Sequence, residues 1–413
     1  MGGRFPPFQR WHVACTRSPH PRRPCTFVEE PAAIPTSDRA LPAEVCAWIE
    51  RLGSLEPEVI PVNAAARGRW LAHDVLAGEP FPPAARAAEN GYALRAEDTV
   101  GASAYGPLVL RWAAGSTIGR GEAMSVTSGA ALPEGADAVL PLEDAESGGG
   151  GLHVCAAVAA GAQVIPAALE VDRGDVIAAC GALRPQDLAR LRLLAVERVS
   201  VVRRPRVRLV AAAAPTAAPD AAGLMLDALV QRDGGLPERR LAATPEELQA
   251  ALQSPGADLI LVHGGSGDGP NDHAASALAR VGTPVFSGMA IHPGESTAAG
   301  RVDGVPVMLL PGTPVACLCA YEMIAGGAVR HLGGGGTGWP YGMRRAILRR
   351  KIASRLGRLE FCRVRCDGVT AVPLGIAAAG ALRTAVEADG FVLVDVDSEG
   401  YAPDTEVSVH VFP

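Results

Sequence analysis

The sequence predicts a multidomain chain of α/β plus β class, in which a three-layer α/β domain with a mostly parallel sheet follows a β-rich region and precedes a small all-β domain. Three observations carry this expectation. From Arg206 onward, apolar strand-like runs (207–210, 259–262) alternate with helical spacing (220–231, 245–252, 273–281), the pattern of a sheet covered by helices on both faces. Residues 92–160 and 343–413 instead break into short strand-like runs separated by Gly and Pro turns. Finally, the run 257–263 feeds directly into a glycine loop, at the carboxyl end of a strand where open α/β sheets hold their ligands.

In chain order, residues 1–35 are rich in proline and arginine without periodicity and read as a disordered extension or a start codon placed too early. Segments 36–80 and 150–200 are assigned to a linking helical/β domain. Val45, Ile49 and Leu52 predict a helix within 42–55, a second helix is expected over 63–76, and a third over 183–196. Pro80-Phe81-Pro82-Pro83 breaks the chain before a β-rich domain at 81–149, which ends in the glycine tract 148–151. The α/β domain is placed at 201–335. Within it a second apolar run, 305–310, enters Pro311-Gly312-Thr313-Pro314 and a helix over 315–332. After four consecutive glycines at 333–336, residues 336–413 form the C-terminal all-β domain.

Composition narrows the function. At 413 residues and 48% hydrophobic the chain can bury a substantial core. A net charge of -6 supplies no basic field for nucleic acid, and no apolar run approaches the roughly 20 residues of a membrane span. No secretory signal opens the chain, so a cytoplasmic location is expected. Nine cysteines with no C-x-x-C pair read as free thiols. Lys351 is the only lysine among 38 basic residues, a coding bias toward GC-rich codons.

The glycine loop, Gly264-Gly265-Ser266-Gly267-Asp268-Gly269-Pro270-Asn271-Asp272, is a candidate anion cradle. Glycine lets the backbone take left-handed angles and present N–H groups, and the following helix points its positive end at the same place. A strand-to-helix turn capped by Asn271 or Asp272 is the structural alternative. A Walker loop is excluded because no lysine follows the last glycine, and a dinucleotide fingerprint because Pro270 stands where glycine is required.

Two glycine-bearing loops in one α/β domain, with Ile291-His292-Pro293-Gly294-Glu295, Gly300-Arg301-Val302-Asp303-Gly304, Leu310-Pro311-Gly312-Thr313-Pro314-Val315 and Glu322, resemble the molybdopterin molybdenumtransferase (MoeA, gephyrin E-domain) pattern K-P-G-K, G-R-x-x-G, L-P-G-N-P-V-S. The resemblance extends over about 370 residues. It includes Pro82-Pro83 with Glu89-Asn90-Gly91-Tyr92-Ala93, Ser128-Gly129-Ala130 with 132–139, Leu183-Arg184-Pro185-Gln186-Asp187-Leu188, and Gly357-Arg358, Phe361, Arg363-Val364 and Ala388-Asp389-Gly390 in the C-terminal part. It implies a C-terminal small β-barrel, a homodimer, and a site shared between the α/β and C-terminal domains of one subunit and the β-rich domain of the other. The implied reaction inserts molybdate into adenylylated molybdopterin with Mg²⁺ and releases AMP. A molybdoenzyme or its maturation factor is the implied recipient.

The resemblance nominates Asp272, Asp187 and Asn90 as catalytic, with Asp272, Asp187 and Glu170 as metal ligands. Gly264, Gly265, Ser266, Gly267, Gly269, Ser128, Gly129, His292, Arg301, Pro311, Gly312, Thr313, Pro314 and Arg363 are nominated for substrate binding. Anionic ligands call for cationic donors and magnesium for carboxylates. Here the pattern thins: His292 and Glu295 stand for two lysines, Ser125 for an arginine, Asn90 for an aspartate, and Ala212-Ala213-Ala214-Pro215-Thr216 for T-G-[DN]-E-L. The departures leave open a second reading, a non-catalytic protein that carries molybdopterin or the cofactor to a molybdoenzyme. Structural alternatives also stand: Asp272 as a helix cap, Asp187 as a solvated helix residue, His292 as a surface residue, and Arg301 and Arg363 as packing residues.

Overall fold

The computed structural model describes residues 39–148, 150–212, 220–266, 272–374 and 382–412. The expected extension 1–35, Gly267 and Gly269 of the glycine loop, and residues 213–216 lie outside them. The chain forms two compact units: Val59–Arg67 with Leu71–Ser200 in one, and residues up to Glu58, Gly68–Trp70 and Val201 onward in the other.

Helix α1 (Pro42–Glu50) begins with proline at its first turn and Glu44 reaching back to the Leu41 amide, 2.8 Å away. It buries Val45, Trp48 and Ile49. The helix expected over 63–76 is absent. Only a 3₁₀ turn, Ala64–Ala66, forms there, capped by Asn63. Gly68 then takes φ +74, which a helix does not accommodate, and the Leu71 amide donates to the Gly181 carbonyl (2.8 Å) instead of to a helical turn.

The smaller unit is built on a six-stranded sheet of β1 (Gly91–Leu94), β2 (Leu108–Trp112), β3 (Glu122–Val126), β4 (Ala138–Pro141), β5 (Ala145–Gly148) and β6 (Gly151–Val154), in the order β4-β1-β3-β2-β6-β5. Helix α2 (Pro185–Leu193) belongs to the same unit.

In the larger unit, β7 (Arg206–Ala212), α3 (Ala221–Arg232), β8 (Leu236–Ala242), α4 (Pro245–Gln253), β9 (Leu259–His263), α5 (Ala274–Val281), β10 (Thr283–Phe286), β11 (Ile291–His292), β12 (Ala298–Val302) and β13 (Val305–Leu310) follow in sequence. The sheet order is β8-β7-β9-β13-β12-β10, with the first four strands parallel and β12 antiparallel to both its neighbours. Alternation along the central strands divides the core. Val207, Leu209, Leu259, Leu261, Met308 and Leu310 pack with α3 and α1 on one face, while Val210, Ile260, Val262, Val307 and Leu309 pack with α4 and α5 on the other. Three layers result, as the sequence predicts.

After β13 come α6 (Pro314–Ala320), a π turn at Tyr321–Ala325, and α7 (Gly326–Leu332). The C-terminal region is a closed five-stranded barrel of β14 (Gly342–Leu348), β15 (Leu359–Cys366), β16 (Thr370–Pro373), β17 (Gly390–Val394) and β18 (Glu406–Val411), ordered β15-β16-β14-β18-β17 and closed by β17 on β15. The two-residue β11, an excursion of the α/β domain, adds to β15 in parallel, Ile291 opposite Leu359 and His292 opposite Glu360. A buried polar cluster joins the same regions. Glu322 of the π turn accepts from Arg232 Nη1 (2.7 Å) and Tyr341 Oη (2.7 Å), while Asp233 accepts from Arg232 (2.9 Å) and Tyr321 Oη (2.9 Å) and forms an ion pair with Arg330 (2.8 Å).

Candidate functional site

The carboxyl ends of β9 and β13 are adjacent, His263 being opposite Leu310, so the two glycine loops leave the sheet side by side. Gly264 and Gly265 adopt φ +83 and +63, angles that side chains resist. The Gly264 amide donates to the Leu310 carbonyl at 3.3 Å, and a Cβ on Gly312 would stand 3.1 Å from Gly264 Cα. A Cβ on Gly264 would in turn stand 3.0 Å from the Ala212 carbonyl oxygen at the end of β7. Three strand ends therefore converge with their backbones close together, and glycine is what the approach demands. Ser266 Oγ donates to the Leu310 carbonyl (3.1 Å) and lies 3.1 Å from Ser296 Oγ, fixing the loop to the segment before β12. Pro311 is buried beneath the second loop and Pro314 opens α6, whereas Thr313, its N-cap residue, makes no capping bond through its side chain.

Asp272 is half-buried just before α5, and the N-cap position falls on His273, one residue beyond the place expected for a capping aspartate.

Arg301 is not brought to these loops. In the β12–β13 hairpin it pairs with Pro306, at the opposite end of β13 from Leu310. Its guanidinium lies 5.8 Å from the centre of the Trp48 ring and donates to the Gly304 carbonyl at 3.2 Å, a packing role. Arg363 is also turned inward. At 2% exposure, it donates through Nε to Thr384 Oγ1 (3.1 Å) and directs Nη1 at Cys319 Sγ (3.7 Å).

His292 and Glu295, in the place of the two lysines, pair with each other through Nδ1 and Oε1. The pair extends to Arg358, 3.7 Å from Glu295 and 3.1 Å from the fully buried Glu360, and His292 Nε2 stands 3.8 Å from Glu360 Oε1. Burial acts to raise the Glu295 carboxyl, but the hydrogen bond from His292 and the amides of Glu295 and Gly294 outweigh it and hold the group at about 2. In Glu360 burial prevails over His292 and Arg358, and the carboxyl is pushed up. An imidazole, a guanidinium and two carboxylates thus face one another here, and sequence reading missed Arg358 and Glu360 as partners of the His292–Glu295 pair.

In the smaller unit, Asn90 and Ser128-Gly129 do meet. Asn90 Oδ1 accepts from the Ser128 amide (2.9 Å), Ser128 Oγ donates to the Ala88 carbonyl (2.9 Å), and Gly129, at φ +80, donates to Ala87 (2.8 Å). Asp187 is the N3 residue of a capping box at the start of α2. Its two oxygens accept from the Arg184 amide (2.8 Å), Nε (2.9 Å) and Nη2 (2.8 Å), and the Arg184 bond holds the carboxyl below its ordinary value. Glu170 is exposed. No group of three or more His, Cys, Asp or Glu among the described residues is arranged to hold a metal ion. With Asp187 committed to Arg184, the expected magnesium donors do not fit that ion.

A residue the sequence reading passed over stands at the centre of the converging strands. His263, the last residue of β9, is 6% exposed, with Nε2 3.7 Å from Asp220 Oδ2. Asp220 caps α3 through the Gly223 amide (2.8 Å) and accepts from Arg239 (2.7 Å). A histidine closing an apolar run and immediately preceding a glycine pair was the available signal. Burial pushes the thiols of Cys46, Cys317, Cys319 and Cys362 up to about 12, where they are inert at neutral pH.

Comparison with known families assigns most of the chain. Residues 37–195 match the MoeA N-terminal region (domain I and II), residues 208–331 match a domain described as a probable molybdopterin binding domain, and residues 345–412 match the MoeA C-terminal region (domain IV). Molybdopterin molybdenumtransferase 2 of Mycobacterium tuberculosis is 28% identical over 393 residues, covering 87% of this chain and 96% of that protein. The molybdopterin molybdenumtransferase of Staphylococcus aureus is 24% identical over 369 residues, covering 82% and 87%. Two crystal structures of the molybdopterin biosynthesis MoeA protein from Pyrococcus horikoshii superimpose with TM-scores of 0.78 and 0.73, at 28% and 25% identity, each over 91% of this chain and 100% of the other. No helix among the described residues is long and apolar enough to cross a membrane.

Proposed function

The chain belongs to the MoeA family, whose place is in molybdenum cofactor biosynthesis, and from that premise we propose that it inserts molybdate into adenylylated molybdopterin, releasing AMP, at an altered site. The observation that carries this reading is the backbone contact of Gly264 with Gly312 at the carboxyl edge of the sheet. Such an edge, with Gly264-Gly265 in left-handed angles, receives a phosphate-bearing ligand on backbone groups without requiring the missing lysines. Asp272, at the start of α5, is assigned to orient the ligand, and Asn90 with Ser128-Gly129 forms a separate polar loop that acts in a homodimer. The protein works in the cytoplasm. No step is routed through magnesium.

A second reading, a carrier that holds molybdopterin or finished cofactor for a molybdoenzyme or its maturation factor, is favoured by one observation: His292 and Arg358 are already engaged by Glu295 and Glu360. The two readings separate in one assay. Purified protein given adenylylated molybdopterin should release AMP in proportion to added molybdate, and Asp272→Ala should release at least tenfold less. Tight binding of molybdopterin with no AMP release at any molybdate concentration would leave the carrier reading. Rescue of a molybdotransferase-deficient strain by both proteins equally would remove Asp272 from the site.

A further inference from the structure

We propose that His263, paired with Asp220, is the proton-accepting contact for the phosphate group of the ligand, so that phosphate binding at this edge takes up one proton. The inference rests on the reading that the glycine-loop edge receives a phosphate-bearing ligand, and adds how that edge compensates the charge.

Topology places His263 at the crevice. From β7 the chain passes through α3 to β8 on one side, then returns through α4 to β9 on the other side of β7. The helices that follow β7 and β9, α3 and α5, cover opposite faces of the sheet. Between β7 and β9 lies the topological switch point, the place where open α/β sheets part to admit a ligand. His263 pairs with Ala211 across that gap. By alternation it shares a face with Leu259 and Leu261, the face covered by α3, and Asp220 caps the nearest end of that helix.

The side chain is 94% removed from solvent by its 6% exposure, yet neither ring nitrogen makes a hydrogen bond among the described residues. The Asp220 oxygen at 3.7 Å is too distant for one. An imidazole without a protein partner at a strand end takes its hydrogen bond from whatever enters the crevice, water or ligand. The amide of Gly265, two residues on, likewise makes no backbone hydrogen bond among the described residues.

Among the described residues, Asp220 and Arg239 are the charged groups that act on the ring, and Cys317 faces Asp220. Asp220 is anionic but shared with Arg239, whose cation opposes protonation of His263, and Cys317 of α6 stays neutral because burial pushes its thiol up to about 12. Burial, acting against Asp220, pushes the imidazole below its ordinary value and leaves it neutral in the free protein. A phosphate dianion brought against it reverses that balance, and the imidazolium then bridges phosphate and Asp220 by charge-assisted bonds. A single proton-linked cation of this kind substitutes locally for permanent cations elsewhere.

The test uses AMP and the full chain. Between pH 7 and 8 a phosphate monoester is a dianion, its second pKa being about 6, so any proton taken up is the protein's. Titration calorimetry in two buffers of different ionisation enthalpy should register close to one proton bound per AMP, and affinity should fall about tenfold per pH unit because each AMP bound draws one proton from a solution that holds tenfold fewer. His263→Gln should bind AMP several-fold more weakly at pH 7, with no proton uptake and affinity independent of pH. In the wild type, the imidazole carbon resonance of His263 should shift to the protonated position on adding AMP at pH 7. This second measurement stands even where the variant folds poorly. AMP binding without proton uptake, or equal uptake by His263→Gln, overturns the role of His263 and leaves the proposed function intact. Failure of the wild type to bind either AMP or inorganic phosphate overturns both.

Discussion

Replacing Arg232 with methionine probes how the α/β layers are fastened to the barrel. The side chains of Glu322 and Asp233 are each 1% exposed, and Arg232 lies between them. Burial works against its charge, but the bonds to Glu322 and Asp233 hold the guanidinium above its ordinary value. Its removal affects the two acids unequally. Asp233 keeps Arg330 and Tyr321, whereas Glu322 keeps, among the described residues, only the Tyr341 hydroxyl as a side-chain partner. One buried carboxylate is left without a cation, and such losses cost about 3–5 kcal/mol. Arg232→Met/Glu322→Met should restore most of the loss, since an apolar pair of similar volume is commonly neutral or better. Urea unfolding measures both, as a shift of the midpoint at unchanged slope. A single variant within about 1 kcal/mol of wild type, or a double variant no better than the single, would refute the view that Arg232 compensates Glu322.

Gly264→Ala places a Cβ at φ +83 and 3.0 Å from the Ala212 oxygen, so it should cost about 1–2 kcal/mol in thermal stability and weaken AMP binding as well; unchanged binding would detach the loop from the ligand. Arg301→Ala should lose about 0.5–1 kcal/mol of stability through the Trp48 contact and leave AMP affinity unaltered, and a large drop in affinity would contradict the hairpin register. Glu295, held at about 2 against an ordinary 4.5, contributes stability that is fully present above its ordinary value and is lost as pH falls from 4.5 toward 2. Glu295→Gln should therefore flatten acid unfolding in that window, and a curve identical to wild type would show that the His292 pairing is not stabilising.

The central strands were legible because burial on both faces turns them into unbroken apolar runs, as in Val207, Leu209, Val210 and in 259–262. β8 was not, because this edge strand carries Glu238, Arg239 and Arg240 on largely exposed positions and shows neither alternation nor an apolar run. The helix read over 63–76 failed for a related reason: alanines have high propensity, but without an apolar stripe they gave tertiary contacts nothing to hold. Within the site, the meeting of the two glycine loops followed from strand ends alone. The position of Arg301 depended on hairpin register, and Glu360, which faces His292, lies more than sixty residues away on a strand whose pairing no local pattern announces. His263 was hidden by its neighbours, since a histidine ending the run Leu259-Ile260-Leu261-Val262 reads as the margin of a core.

A strand of two residues has a consequence for how the chain can be divided. β11 contributes only Ile291 and His292, yet it places a piece of the α/β domain inside the hydrogen-bonding edge of the barrel. Severing the backbone within 333–341 would therefore not free the barrel as a separable module, because the clasp lies some forty residues upstream of the cut. Limited proteolysis there should yield nicked but co-migrating fragments, and the two parts should melt in one transition. A barrel expressed alone would leave the first residues of β15, Leu359 and Glu360, without their β11 partner, a short bare edge that invites pairing with other chains. Genetic exchange of C-terminal domains between relatives would then have to carry residues 288–296 along with them.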